Sequence, residues 1–223
     1  MDFPEWEPYY DRIVSELRLS VQDDEASARR LLQLSKGKTI CDPDCLQCLI
    51  GERVTVLGDG PNLESDLRRH APQGTVLAAD GATSKLMHEV GMVPDVIVTD
   101  LDGEVEDQIC ANAQGSVAVI LAHGDNLDRI ERYVPWFSGM ITPTTQSRPI
   151  NGMFNFGGFT DGDRAVMLAR HFGATRIDLI GFDMDNPRPK AGRNIDVKRQ
   201  KLRIARELIW DLNPAGVDLR VLR

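Results

Sequence analysis

The chain has 223 residues, 42% hydrophobic and 27% charged, with a formal net charge of -8 at pH 7; a chain of that size and balance buries a sizeable core and is not of the disordered class. The acidic excess excludes a general nucleic-acid or anionic-membrane surface, since both partners need a basic face. No apolar run approaches the roughly 20 residues that cross a bilayer, and the first stretch, MDFPEWEPYYDRIVSEL, is acidic and aromatic where a signal peptide is basic and then apolar, so a cytoplasmic location is expected.

Residues 1–50 read as a separate region. Apolar spacing predicts helices from Trp6 to Leu19 and from Glu25 to Leu34, with Asp23 or Asp24 in capping position for the second. Together they are expected to form an N-terminal helical cap packed on the sheet. The same region carries CDPDCLQC, with Cys41, Cys45 and Cys48 in C-x3-C-x2-C spacing. That spacing also holds iron–sulfur clusters, and a non-enzymatic metal-binding module built on it is a rival reading. Against it, no histidine is near, Cys110 is remote, and the cysteines precede the first strong strand. Solvent-facing or mutually bonded thiols are expected instead, with Cys45 and Cys48 as the alternative redox pair.

From Arg53 onward, short β-branched runs alternate with amphipathic stretches, the pattern of β-α-β units building a parallel sheet. Strands are predicted at 53–58, 75–80, 95–100, 117–122, 138–142, 176–181 and 217–222. Helical spacing falls at Leu63–Leu67, Ser84–Val90, Leu127–Val134, Arg164–Phe172 and Val197–Leu212. The strands are continuously apolar, as when helices cover both faces. Residues 51–223 are therefore expected to form an α/β catalytic domain, a Rossmann-like, mostly parallel sheet flanked by helices. The stretch 142–160, TPTTQSRPINGMFNFGGFT, is rich in Gly, Pro, Thr and Asn and reads as a long loop near the site.

The chemistry gathers where predicted strands end. The first runs into GDGPNLESDL: Gly58 and Gly60 free the backbone to turn and Asn62 stands in position to cap the next helix. A turn of this kind presents amides to a phosphate, although it matches neither the dinucleotide nor the Walker pattern and a plain tight turn is the alternative. The second strand ends in AADGATSKL at Asp80, and the third, PDVIVTDLDG, ends at Asp100 and Asp102. Side chains two apart in extended chain point to the same side, so Asp100 and Asp102 are expected to face one way and to repel unless a cation lies between them. Ligands bind outside the carboxyl ends of parallel strands, and Asp80, Asp100 and Asp102 converging there suit Mg2+, which takes one or two carboxylates together with substrate phosphates. FTDGDRAVMLA adds Asp161 and Asp163 at a helix start, where capping explains at least one and the other reaches the metal or a nucleotide. LIGFDMDNPRPKAGRNIDVKRQKL supplies Asp183, then Lys190, Arg193, Lys198 and Lys201; the cations read either as a solvated helix face or as counter-charge to a polyphosphate. His123, after the predicted strand 117–122, is a candidate substrate contact.

GDGPNL, AADGAT, PDVIVTDLDG, GGFTDGDRAVMLA, LIGFD and VKRQKL together resemble the archaeal 6-hydroxymethyl-7,8-dihydropterin pyrophosphokinase family, whose fold is like the thiamine pyrophosphokinase catalytic domain. The resemblance covers about residues 50–213. It implies Mg2+-dependent transfer of diphosphate from ATP to a pterin alcohol, releasing AMP, on a route to folate or tetrahydromethanopterin. It also implies that Asp80, Asp100 and Asp102 are catalytic metal ligands. Gly58, Gly60, Pro61, Asn62, Asp161, Asp163, Lys198 and Lys201 would bind the nucleotide; Asn155, Phe156, His123 and Asp183 would bind the acceptor, the amide of Asn155 and the rings of Phe154 and Phe156 being of the sort a pterin uses. The cysteine cluster is no part of this pattern, and Asn62 stands where relatives often have serine. Thiamine as acceptor and a nucleotide-sugar transferase are the alternative enzyme readings. Small-molecule partners are expected, with no nucleic acid or membrane, and a homodimer is the default assembly.

Overall fold

The computed structural model describes residues 1–186 and 194–223. Seven strands form one sheet: β1 (Arg53–Leu57), β2 (Thr75–Ala79), β3 (Val96–Thr99), β4 (Val117–Ala122), β5 (Ile141–Thr145), β6 (Arg176–Ile180) and β7 (Asp218–Leu222). Their order is β5-β4-β3-β2-β1-β6-β7, and every neighbouring pair is parallel. The Rossmann-like parallel α/β sheet expected from the alternating pattern is therefore present. Chain order runs outward from β1 to β5 on one side and from β6 to β7 on the other, so the topological switch lies between β1 and β6, where such sheets open a crevice.

Burial explains the continuous apolar runs: all six residues of β4 and all four of β3 are buried. On one face β1 to β4 pack on α8 (Asp161–His171) through Ala165, Val166 and Leu168, with Phe156 and Phe172 beside them. On the other, α4 (Leu63–Leu67) and α5 (Ala82–Lys85) contribute Leu63, Leu67 and Ala82, and a π-turn continues α5 through Val90. Further along that sheet, α2 (Val21–Ser35) and α7 (Leu127–Tyr133) place Ala28, Leu31 and Ile130 against Ala118, Ile120 and Ile141.

The N-terminal helices divide their packing. α2 rests on the sheet, whereas α1 (Phe3–Leu17) packs Trp6, Tyr10 and Ile13 against Phe159 and against Ile204 and Leu208 of the C-terminal helical segment. That segment is α9 (Ile195–Arg206), extended by a π-turn to Asp211. Ser20, not Asp23 or Asp24, caps α2, its Oγ accepting from the Asp23 amide at 3.2 Å; the helix starts four residues earlier than the apolar spacing indicates because Val21 is exposed. Two short helices were hidden in the sequence: α3 (Pro43–Leu49) inside the cysteine motif, capped by Asp42, and α6 (Val105–Ala113) between β3 and β4. Cys41 and Cys45 form a disulfide with Cα atoms 5.2 Å apart, while Cys48 and Cys110 are exposed free thiols. Bonded and solvent-facing thiols are thus both present, but the bonded pair is Cys41–Cys45 and not the alternative Cys45–Cys48: Cys45 sits in the first turn of α3 and bonds back to the residue before its cap.

The fifth strand also lies three residues later than predicted. Thr142-Pro143-Thr144-Thr145 had read as loop, but Pro143 is tolerated because β5 is the edge strand, pairing among the described strands with β4 alone. Among the described residues, no helix is long and apolar enough to cross a membrane.

Candidate active site

The first residue beyond each of six strands lines one cleft: in sheet order Gln146, His123, Asp100, Asp80, Gly58 and Gly181. Its volume is about 650 Å³, the size of a small-ligand site.

Acid is concentrated at its centre. Ala79 lies beside Val98 in the β2–β3 register, so Asp80 and Asp100 leave the sheet almost level, and the N-terminus of α8 brings Asp161 over them. One carboxylate oxygen from each of Asp80, Asp100 and Asp161 lies within 4.8 Å of the others. Asp80 is fixed first: its Oδ1 accepts from Thr99 Oγ1 at 2.8 Å, Gln108 Nε2 at 2.9 Å and the Gly103 amide at 3.1 Å. The backbone is held in the left-handed region at two non-glycine residues here, Asp80 (φ 44°) and Leu101 (φ 65°), a cost that gathers at functional sites.

Asp161 sits unfavourably as a charged group in this cluster. Burial, then the negative charges of Asp100 and Asp80, push its carboxyl well above the usual carboxylate range. For Asp100, burial pushes upward, but the hydrogen bond and charge of His123, with Arg129 and Lys201, outweigh it and hold the carboxyl below its ordinary value. His123 Nε2 lies 3.2 Å from Asp100 Oδ2, placed to donate to it, and the Asp125 amide lies 3.3 Å from His123 Nδ1. Buried Arg164 stands behind the acids, donating to Thr144 Oγ1 and the Gly158 carbonyl. Asp100 Oδ1 and Asp161 Oδ1 are buried with no hydrogen-bond partner among the described residues. Hard oxygens, two of them orphaned, on three convergent carboxylates are a donor set that fits Mg2+.

The family model described as 6-hydroxymethylpterin diphosphokinase MptE-like matches residues 32–188. The chain belongs to the MptE-like family. Three curated archaeal relatives are each named 6-hydroxymethyl-7,8-dihydropterin pyrophosphokinase. The Pyrococcus furiosus protein is 40% identical over 226 residues, covering 97% of this chain and 96% of the relative. That of Methanothermobacter thermautotrophicus is 41% identical over 235 residues and the full length of both. That of Methanocaldococcus jannaschii is 34% identical over 229 residues, 94% of this chain and 95% of its own.

In this MptE-like chain several residues stand differently from the sequence expectation. Asp102 does not share the three-carboxylate cluster; it lines the cleft and pairs with Arg129 at 3.3 Å. β3 ends at Thr99 and Leu101 turns left-handed, so the same-side rule for extended chain lapses between Asp100 and Asp102. Asp161 takes the vacated third position. Asp163 is spent on the capping box of α8, accepting from the amides of Phe159 and Thr160 and from the Thr160 hydroxyl.

Gly58 and Gly60 do line the cleft, with Pro61, but their amides are not presented to it. Each donates across the switch, to the carbonyls of Ile180 and Gly181, both at 2.9 Å. The glycines are needed for closeness: a Cβ on Gly60 would meet the Gly181 oxygen at 2.3 Å. Asn62 precedes α4 without capping it and donates to Asp66 instead, and a helix of five residues contributes little dipole. Asn155 and Phe156 are not among the residues that line the cleft. Asn155 bonds the carbonyls of Gln146 and Ser147, and Phe156 packs among Phe154, His171 and Phe172. The loop that carries them runs back along the free edge of β5, its Phe154 bridging Thr144.

Lys198, Lys201, His123 and Asp183 line the cleft; Lys201 Nζ also lies 5.4 Å from the Phe159 ring centre. Lys190 and Arg193 lie outside the described residues. Missed by sequence reasoning were Arg18, Asp23, Asp24 and Gln146, which line the end beneath the α1–α2 turn. Only the helix-hairpin geometry brings the first two dozen residues to the rim of β4 and β5.

Proposed function

We infer that this chain transfers diphosphate from ATP to the hydroxymethyl oxygen of 6-hydroxymethyl-7,8-dihydropterin, releasing AMP; its relatives are named as pyrophosphokinases of that pterin. The observation that carries this reading is the triad of Asp80, Asp100 and Asp161 at the middle of a cleft that runs along the sheet rim from β5 to β6. A substrate on either side of the triad would have its reacting atoms at the acid cluster. When bound there, Mg2+ supplies charge neutralisation and polarisation of the transferring group.

The protein's own groups divide the remaining work. Gly58, Gly60 and Gly181 form a wall without side chains at the switch point, where a nucleotide can lie close to the backbone. Lys198 and Lys201 of α9 bring positive charge to the triphosphate, offsetting carboxylates that the metal does not neutralise. The acceptor hydroxyl approaches from the β4–β5 side and attacks the β-phosphorus in line with the departing AMP oxygen. Catalysis of this kind is mostly positioning and electrostatics. Asp102, tied to Arg129, stands at the rim as a candidate proton acceptor for that hydroxyl.

The test is product analysis by ³¹P NMR and chromatography with ATP, Mg2+ and either the reduced hydroxymethylpterin or thiamine. AMP and pterin diphosphate in equal amounts support the reading. ADP as product, or turnover with thiamine alone, overturns it.

A further inference from the structure

The sheet order divides the cleft into two halves around the acid triad: the glycine wall of β1 and β6 on one side, the ends of β4 and β5 on the other. The second half is built around a buried carboxylate. Asp24, 1% exposed, accepts from Tyr10 Oη at 2.7 Å, the Gly124 amide at 2.7 Å and Gln146 Nε2 at 2.9 Å. It thereby ties α1, α2, the turn after β4 and the end of β5 into one hub.

The consequence falls on Gln146. Its side chain is 3% exposed and lines the cleft; its amide nitrogen is taken by Asp24, and its backbone oxygen by Trp6 and Asn155. The amide oxygen Oε1 is left, accepting no hydrogen bond among the described residues. On the same wall, the Asp23 carboxylate has neither a hydrogen bond nor an ion pair among the described residues. Two oxygen-bearing side chains, Gln146 held by Asp24 and the exposed Asp23 next to Asp24 in sequence, therefore line the half of the cleft assigned above to the acceptor substrate.

We propose that Gln146 Oε1 and the Asp23 carboxylate read the amino-lactam edge of the pterin, taking its ring N–H and exocyclic amino group. Asp24 is the positioning residue that orients Gln146, and the α1–α2 hairpin is part of the substrate site. This rests on the diphosphokinase reading and extends it to specificity. The pterin edge offers two N–H donors to these two acceptors, whereas the aminopyrimidine of thiamine sets a ring-nitrogen lone pair beside its amino group and would meet an acceptor with a lone pair. The span suits the ring: β5 lies two strands from β3, on the order of 10 Å along the rim, which leaves room for a bicycle between its reacting hydroxymethyl group and its amino edge.

The test is a fluorescence titration of reduced hydroxymethylpterin and its 2-desamino analogue into wild type, Asp23→Ala and Gln146→Leu, without ATP. Wild type is expected to prefer the pterin by about tenfold or more, the scale of a buried hydrogen bond to a charged or fixed acceptor. The ratio falls toward one in both variants, while their Kd for a non-hydrolysable ATP analogue with Mg2+ stays within twofold of wild type. Asp23 is exposed, so its variant folds. If both variants keep the wild-type ratio, the proposal is overturned while the diphosphokinase reading stands. If wild type neither binds nor turns over the pterin, both fall together.

Discussion

Replacing Asp161 with asparagine is expected to stabilise the metal-free protein and to disable the enzyme, a combination that ordinary structural residues do not give. The ligand oxygens of Asp80, Asp100 and Asp161 lie within 4.8 Å of one another. Two unit charges at that separation repel by about 3.5 kcal/mol at an effective dielectric of about 20, and Asp161 faces two of them. Arg164 opposes part of this, so a net gain of about 1–3 kcal/mol is expected, or a Tm rise of roughly 3–10 °C for a chain of this size.

The gain depends on pH. The Asp161 carboxyl is raised by burial and by Asp100 and Asp80, so the folded protein holds a proton that the unfolded chain releases. Stability from this group is complete below the ordinary carboxylate value and is lost as pH rises through the raised folded value. Metal-free wild type should therefore melt lower at pH 8 than at pH 5, and Mg2+ should restore more at pH 8. Asp161→Asn should lose most of both dependences and at least about 100-fold in turnover, the scale of one preorganised electrostatic group. Thermal melts at the two pH values, with and without Mg2+, decide the matter. A variant that melts no higher than wild type at pH 8 without metal, yet gains as much from Mg2+, refutes the reasoning.

Gly60→Ala forces a methyl to within 2.3 Å of the Gly181 carbonyl; it should cost about 1–3 kcal/mol, the range for overpacking, and raise the KM for ATP, whereas Gly216→Ala, which meets nothing within 4 Å, should do neither. Asp163→Ala removes the carboxylate half of the α8 capping box, leaving Thr160 to accept from the backbone amide at 163, and should cost about 1–2 kcal/mol in denaturant melts, with ATP affinity retained if its role is capping. Cys41→Ser with Cys45→Ser opens a loop of four-residue separation and should lower stability by about 2 kcal/mol on the loop-entropy relation. Turnover and metal content should not change; a loss of bound iron or zinc would revive the cluster reading.

The sheet was legible because a fully buried parallel strand cannot alternate, and runs such as Val117–Ala122 admit few other readings. The acid at the strand ends was legible for the same reason: a charge directly after an apolar strand marks the rim. What escaped were features decided by conformation at single residues or by distant packing. A left-handed Leu101 moved Asp102 out of the triad, and nothing in DLDG announces it. Asp161 and Asp163 look alike in sequence, and only the closing of the cap on Asp163 leaves Asp161 for the triad. Asn155 and Phe156 have the right chemistry for a pterin, but the loop runs back along the edge of β5 and leaves them out of the cleft lining. Gln146 and Asp24, a hundred and twenty-two residues apart, become neighbours through the docking of α2, for which no local pattern exists.

The central claim is that the acid triad holds a divalent ion together with a triphosphate. Electron paramagnetic resonance of Mn2+ titrated into the protein with a non-hydrolysable ATP analogue tests it most directly. Wild type should bind Mn2+ with the nucleotide at a site that weakens at least tenfold in Asp80→Asn and Asp161→Asn. Equal Mn2+ binding by wild type and both variants would contradict it.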